Sequence, residues 1–80
     1  MKIIFSVHAQ DVMTTREIKQ SWVEIVLESA SNIIIINDDE IHYFKIIQEY
    51  DNRCLKVVFN PNKSLVITAF FDRKMKKRGC

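Results

Sequence analysis

The sequence predicts a single α+β domain in which two N-terminal helices pack on one face of a four- or five-stranded antiparallel sheet. The chain has 80 residues, which is enough for one hydrophobic core and one domain. Ile and Val number 19 against three Leu, and β-branched side chains favour strands over helices. With 48% hydrophobic residues, one Gly and one Pro, the composition excludes disordered and collagen-like chains.

The first part of the chain predicts one short strand and two helices. Residues 2–5 contain a compact apolar run and predict the strand. Ser6 follows it, and its hydroxyl oxygen can cap a helix over residues 7–15. A second helix is predicted over residues 19–31, with Trp22 on its apolar stripe.

The rest of the chain predicts four strands joined by turns, which gives the order β-α-α-β-β-β-β. The strands are expected over residues 33–36, 40–50, 53–60 and 64–71. In the last strand, Ile67 and Ala69 are predicted to face the helices, and Val66 is predicted to face the other side. Ile67→Ala is therefore predicted to destabilise the fold more than Val66→Ala. The face away from the helices is predicted to be open and half polar.

Cysteine and histidine are too few and too scattered to predict a metal or cofactor site. Cys54 and Cys80 form no CxxC pair and are predicted to be reduced thiols, with Cys54 packed in a strand and Cys80 mobile at the terminus. A zinc site would need four ligands at suitable spacing, which two His and two Cys do not offer. No apolar run is long enough to span a membrane, so a cytoplasmic location without membrane contact is expected.

Positive charge is concentrated at the C-terminus. Residues 73–80 carry five basic side chains and no acid, whereas residues 1–72 carry seven basic and ten acidic ones. The sequence thus predicts a domain over residues 1–72 and a basic tail over residues 73–80, which is either a solvated tail or a contact for RNA or DNA. The predicted nucleic-acid contacts in this tail are Arg73, Lys74, Lys76, Lys77 and Arg78.

Four further residues are candidates for RNA chemistry. Metal-free cleavage of RNA needs groups that move protons and cations that hold the phosphate charge. His8 is the candidate acid or base, and Arg53 and Arg16 are the candidate cations of a catalytic site. Each has a structural alternative, such as a histidine packed at a helix–strand junction or an arginine in an ion pair. Phe70, on the open face, is a candidate for stacking on a base or for contact with a partner protein.

The chain contains the stretch Phe5-Ser6-Val7-His8-Ala9, and Met13, Arg16 and Ile18 follow it. This pattern resembles the opening S-x-H-A-x-x-R-M-x-x-R-x-I of a small prokaryotic domain family. The similarity continues through residues 53–58 and 68–73. That family is similar to the RelE/BrnT-like toxins of toxin–antitoxin pairs, whose core is two helices on an antiparallel sheet. The resemblance implies a domain that contacts RNA, cleaves it without a metal, and is neutralised by a cognate antitoxin-like protein. Val12 departs from the pattern, because the family usually has Arg there.

A second hypothesis is a non-catalytic interaction module whose open sheet face takes a strand or helix of a partner protein. RNA affinity that falls with salt would favour the toxin-type domain. A one-to-one complex with a small protein, without RNA binding, would favour the interaction module. The sequence predicts no oligomeric state.

Overall fold

The structure, a computed structural model, describes residues 2–77 and residue 80, with the backbone alone for Lys76 and Lys77. Its elements are β1 (Ile4–Phe5), α1 (Val7–Thr15), α2 (Gln20–Ser29), β2 (Asn32–Asn37), β3 (Glu40–Ile47), a 3-10 turn (Gln48–Tyr50), β4 (Arg53–Asn60), β5 (Leu65–Phe71) and α3 (Arg73–Lys77). The predicted α+β class and the predicted order of elements are confirmed, and α3 is additional. None of the helices in the described part of the chain has the length and apolar character needed to cross a bilayer.

The sheet has five strands in the order β1-β5-β4-β3-β2. It is mixed and not purely antiparallel, because β1 pairs parallel with β5. Two backbone hydrogen bonds fix this pair: the Ile4 N–H donates to the Ser64 carbonyl at 2.8 Å, and the Ser6 N–H donates to the Val66 carbonyl at 3.0 Å. A parallel pair needs a long crossover connection, and here the two helices and three strands between β1 and β5 provide it.

Helix α1 begins where the sequence predicts. The Ser6 hydroxyl accepts the Ala9 N–H at 2.9 Å and donates to the Ile67 carbonyl at 2.8 Å, so one side chain both caps the helix and ties it to β5. Ala9 is fully buried in the core. Helix α1 packs mainly on β5.

Helix α2 is shorter than the predicted range of residues 19–31, since it begins at Gln20 and ends at Ser29. Trp22, Val23 and Val26 are buried in the core. Helix α2 packs on β3 and β4, so the two helices cover the middle of the sheet and leave β2 outside the helical layer.

A β-bulge changes which side chains of β5 are buried. Val58 pairs with Thr68 but the next residue, Phe59, pairs with Val66, so Ile67 has no opposite residue. An extra residue of this kind shifts the alternation of side chains by one position. Val66 is therefore fully buried in the core and Ile67 is half-buried. The prediction that Val66 faces away from the helices is wrong.

We expect Val66→Ala to lower the free energy of unfolding by about 2 kcal/mol, because it removes two buried methyl groups and leaves a cavity. Ile67→Ala removes a larger side chain, but from a half-buried position, and should cost less. Urea denaturation of both variants measures the difference. A larger cost for Ile67→Ala would contradict the bulge.

Cys54 and Cys80 form a disulfide with their Cα atoms 5.9 Å apart, so the prediction of two reduced thiols is wrong. The pair is separated by 26 residues and has no spacing signal in the sequence. It forms because α3 folds back on β4, where the Asp72 N–H donates to the Cys54 carbonyl at 2.8 Å. Residues 73–80, predicted to be a tail, thus include a helix and end in a bond to the sheet.

The sheet face away from α1 and α2 is less open than predicted. Phe44 and Val58 are buried on this face at 2% and 8% exposure. The Lys56 ammonium lies over the rings of Phe44 and Phe70, at 5.8 and 5.2 Å from their centroids. A cation in this position shields both rings from solvent.

Candidate functional site

A cleft lined by three arginines lies where the end of α1, the start of β4 and the end of β5 meet. It has a volume of about 320 Å³. Its lining residues are Thr15, Arg16, Glu17, Tyr50, Arg53, Phe71 and Arg73. We call this cleft the arginine pocket. It brings together three arginines that the sequence places far apart.

Each arginine of the pocket stands at the end of a structural element. Arg16 caps the C-terminus of α1, where its backbone N–H donates to the Val12 carbonyl at 2.9 Å. Arg53 is the first residue of β4 and follows a turn in which Asp51 and Asn52 have positive φ angles of 54° and 53°. Arg73 is the first residue of α3. All three side chains are exposed, so their guanidinium groups are available to a ligand.

Aromatic rings form one wall of the arginine pocket. Tyr50 and Phe71 are stacked, with centroids 4.8 Å apart and an interplanar angle of 21°. Trp22 packs against Tyr50 from the core, at 5.5 Å between centroids. The Arg53 guanidinium lies 5.2 Å from the centroid of the Tyr50 ring. This cation–π contact orients Arg53 toward the pocket.

The pocket has an excess of positive charge. It is lined by three guanidinium groups and one carboxylate, that of Glu17. Elsewhere in the described chain, the Lys19 ammonium pairs with Glu49 at 3.4 Å, and the His42 ring lies 2.6 Å from the Glu40 carboxylate. An excess of positive charge in a cleft attracts anions.

Glu17 occupies a backbone position that normally favours glycine. Its φ angle is +55°, and it follows the last turn of α1. The Glu17 N–H donates to the Thr14 carbonyl at 3.3 Å, and the Ile18 N–H donates to the Met13 carbonyl at 2.8 Å. These two bonds form a Schellman motif. A glutamate at this position has a conformational cost that a functional role for its carboxylate would explain.

We expect Glu17→Gly to raise the free energy of unfolding by about 0.5–1 kcal/mol, because glycine adopts a positive φ without steric cost. Glu17→Gln keeps the Cβ and removes only the charge, and it should leave stability almost unchanged. Thermal melts of the two variants against the wild type measure this. A loss of stability in Glu17→Gly would show that the carboxylate itself holds the turn.

The structure brings together some predicted site residues and not others. Arg16, Arg53 and Arg73 meet in the arginine pocket. His8 is exposed and lies eight residues before Arg16 on α1, about 12 Å away along the helix axis at 1.5 Å per residue. Phe70 lies under the Lys56 ammonium, and its neighbour Phe71 lines the pocket.

The remaining predicted nucleic-acid contacts lie near α3. Lys74 is exposed, and its backbone N–H donates to the Asp72 carboxylate at 3.0 Å. The side chains of Lys76 and Lys77, and Arg78 as a whole, lie outside the described residues. Their role in binding stays a prediction.

The sequence did not identify Glu17, Tyr50 or Phe71 as site residues. Two signals were available. Tyr50 directly precedes the Asp51-Asn52 turn that leads to Arg53, and a charged residue, Glu17, stands after the helix where Gly is expected.

Among the described residues, no group of three or more His, Cys, Asp or Glu side chains is placed to hold a metal ion. The family profile of a domain of unknown function (DUF4258) matches residues 5–71. This range includes most of the arginine pocket and ends before Arg73. No curated protein and no solved structure matches the chain.

Proposed function

This chain belongs to the family of the domain of unknown function DUF4258, and from the arginine pocket we propose that it binds single-stranded RNA. One phosphate sits among Arg16, Arg53 and Arg73. The observation that supports this proposal is the convergence of three exposed guanidinium groups from three separate elements into one cleft.

The chemistry of the pocket matches an RNA strand better than a simple anion. A guanidinium group donates two parallel hydrogen bonds to phosphate oxygens, which favours arginine over lysine at such sites. An unstacked RNA base can stack on an aromatic ring or on the plane of a guanidinium group. The Arg53 guanidinium offers such a plane, and the Tyr50–Phe71 stack supports it from below. Because the base must be unpaired to stack, a single strand is the preferred ligand.

The resemblance to RelE/BrnT-like toxins extends this proposal to metal-independent cleavage and to a cognate neutralising protein. In cleavage at the pocket, the Glu17 carboxylate would accept the 2′-OH proton as the 2′-oxygen bonds to phosphorus, and the arginines would stabilise the charge of the phosphorane. The bond from phosphorus to the 5′-oxygen then breaks, and water or the Tyr50 phenol protonates the leaving oxygen. His8 lies about 12 Å from Arg16 along the axis of α1, and its role as an acid or base stays a prediction. The alternative interaction module has less support, because the sheet face it requires is partly buried.

The test is fluorescence anisotropy of a labelled single-stranded RNA at low and moderate salt. We expect Arg53→Ala and Arg16→Ala each to weaken binding about tenfold or more, since a hydrogen bond to a charged group contributes roughly 1.5–3 kcal/mol. Lys63→Ala is the matched control, because Lys63 is exposed in the turn between β4 and β5 and does not line the pocket. It removes the same charge and should weaken binding far less.

Two outcomes would contradict the proposal. One is an equal loss of affinity in Lys63→Ala and Arg53→Ala, which would indicate attraction by net charge alone. The other is no binding by the wild type at low salt. Gel analysis of the same RNA separates binding from cleavage: Glu17→Gln should abolish cleavage and keep affinity if the carboxylate accepts the proton.

A further inference from the structure

Strand β2 is an edge strand that exposes apolar side chains on both faces. It pairs with β3 on one side, and the helices cover β3, β4 and β5 but not β2. Its four isoleucines are therefore exposed, with exposed fractions of 52% for Ile33, 41% for Ile34, 71% for Ile35 and 50% for Ile36. Four consecutive exposed isoleucines form a larger apolar surface than scattered single residues do.

The strand has few of the features that protect sheet edges. Protected edges are short, or they carry Lys or Pro or a bulge, or a helix covers them. Strand β2 has one of these features, a bulge at Ile36, and the regular edge before it runs through Ile33, Ile34 and Ile35. The opposite edge of this sheet, β1, has only two residues. Strand β2 has six residues, Asn32–Asn37, with neither a charge nor a proline among them. Its outer backbone groups are thus open to another strand.

We propose that two copies of this chain form a dimer by pairing their β2 strands antiparallel, which makes one continuous ten-stranded sheet. The charges at the two ends of β2 favour a second copy in this orientation. Asp38 and Asp39 directly follow the strand. At its other end, the Lys45 ammonium donates to the Ser29 carbonyl at 3.2 Å.

Antiparallel pairing places the acidic turn of each copy beside the Lys45 end of the other copy, whereas parallel pairing would place the two acidic turns together. Opposite charges that meet across an interface fix its orientation. The strand is thus complementary to itself in charge as well as in apolar surface.

The register follows from symmetry. Opposite residues of an antiparallel pair point to the same face of the sheet, so a two-fold axis must pass through a residue pair and not between two residues. An axis at Ile34 pairs Ile33 of each copy with Ile35 of the other. It also brings the acidic turn that follows β2 in each copy toward the connection between α2 and β2 of the other, where the Lys45 ammonium contacts the Ser29 carbonyl. The bulge at Ile36 lies between the paired segment and this turn. All the exposed isoleucines then lie within the paired segment or at its ends.

The interface is small and separate from the arginine pocket. A six-residue strand pair lies at the low end of interface sizes, so the dimer should dissociate in the micromolar range. Arg53 is on β4, two strands from β2, or about 10 Å at the usual strand spacing. Both arginine pockets stay open in the dimer, so this inference does not depend on RNA binding.

Sedimentation equilibrium of the purified full chain over a range of concentrations tests the dimer. We expect a mass that rises toward twice the 9.5 kDa of one chain. Ile35→Lys should raise the dissociation constant about tenfold or more, because it sets charge into the apolar pair. Val7→Lys is the control: Val7 is 75% exposed on α1, and its replacement should leave the dimer unchanged.

A charge exchange tests the orientation. Asp38→Lys and Lys45→Glu should each weaken the dimer, and the double variant should restore it. Four outcomes would each overturn the proposal. The wild type could stay monomeric at all concentrations, or form larger open-ended aggregates in place of a dimer. Val7→Lys and Ile35→Lys could have equal effects, or the double variant could dimerise no more tightly than the single ones. A circular dichroism spectrum and a urea midpoint like those of the wild type would show that Ile35→Lys is folded.

Discussion

Reduction of the Cys54–Cys80 disulfide should lower the free energy of unfolding by roughly 3–4 kcal/mol. The bond closes a loop of 26 residues that includes β5 and α3, and opening that loop increases the entropy of the unfolded chain. Native domains of this size are stable by about 5–15 kcal/mol, so the loss is a large fraction of the total. Urea denaturation with and without reductant measures it.

Cys80→Ser is the appropriate variant, because Cys54 is also 99% buried and its removal would add a packing loss. The variant should match the reduced wild type in stability and should not respond to reductant. Equal stability of the oxidised and reduced wild type would contradict the disulfide. Disulfides are rare in the reducing cytosol, and the expected cytoplasmic location stays a prediction.

The same bond changes how the basic C-terminus should be tested. Removal of residues 73–80 would leave the fold intact if they formed a solvated tail. In the structure it would also remove α3 and the disulfide, so lost RNA binding would not identify a charge effect. Arg73→Ala removes one pocket guanidinium and keeps both α3 and the disulfide. It therefore tests the contribution of this segment's charge to RNA binding.

The parts of the fold that the sequence predicted are those set by local chemistry. The Ser6 cap, the range of α1 and the pairing of β3 with β4 follow from hydrogen-bonding side chains, helical periodicity and turn residues close in sequence. The predicted strand over residues 40–50 is too long, because β3 ends at Ile47 and Gln48–Tyr50 form a 3-10 turn. The parallel pairing of β1 with β5 and the disulfide join residues 61 and 26 positions apart, and the bulge at Ile67 depends on the register between β4 and β5. Neither periodicity nor spacing reports such pairings.

The candidate site shows the same division. Arg16, Arg53 and Arg73 could each be chosen from the sequence because exposed arginines next to turns or strand ends suit phosphate. Their convergence is a property of the tertiary fold, since it requires α1 to lie along β5 and the end of β5 to lie beside the start of β4. His8 was chosen for its chemistry, and it lies about 12 Å from Arg16 along the axis of α1 and does not line the pocket.

Tyr50→Ala should damage both the stability of the fold and the arginine pocket. Tyr50 is partly buried and contacts Trp22 and Phe71, so its removal should cost about 2–4 kcal/mol of unfolding free energy. It also removes the ring under the Arg53 guanidinium. RNA affinity should therefore fall about tenfold or more, through the loss of a stacking surface and of the orientation of Arg53.

Tyr50→Phe is the matched control, because it keeps the ring, the stack and the cation–π contact and removes only the hydroxyl. It should retain stability and RNA affinity. If the phenol also donates a proton to the leaving oxygen during cleavage, this variant should cleave roughly 100-fold more slowly while binding normally. Urea denaturation, anisotropy and cleavage assays on the same three proteins separate these roles. Normal RNA affinity in a folded Tyr50→Ala protein would show that the aromatic wall takes no part in binding, and the pocket would then hold phosphate through its arginines alone.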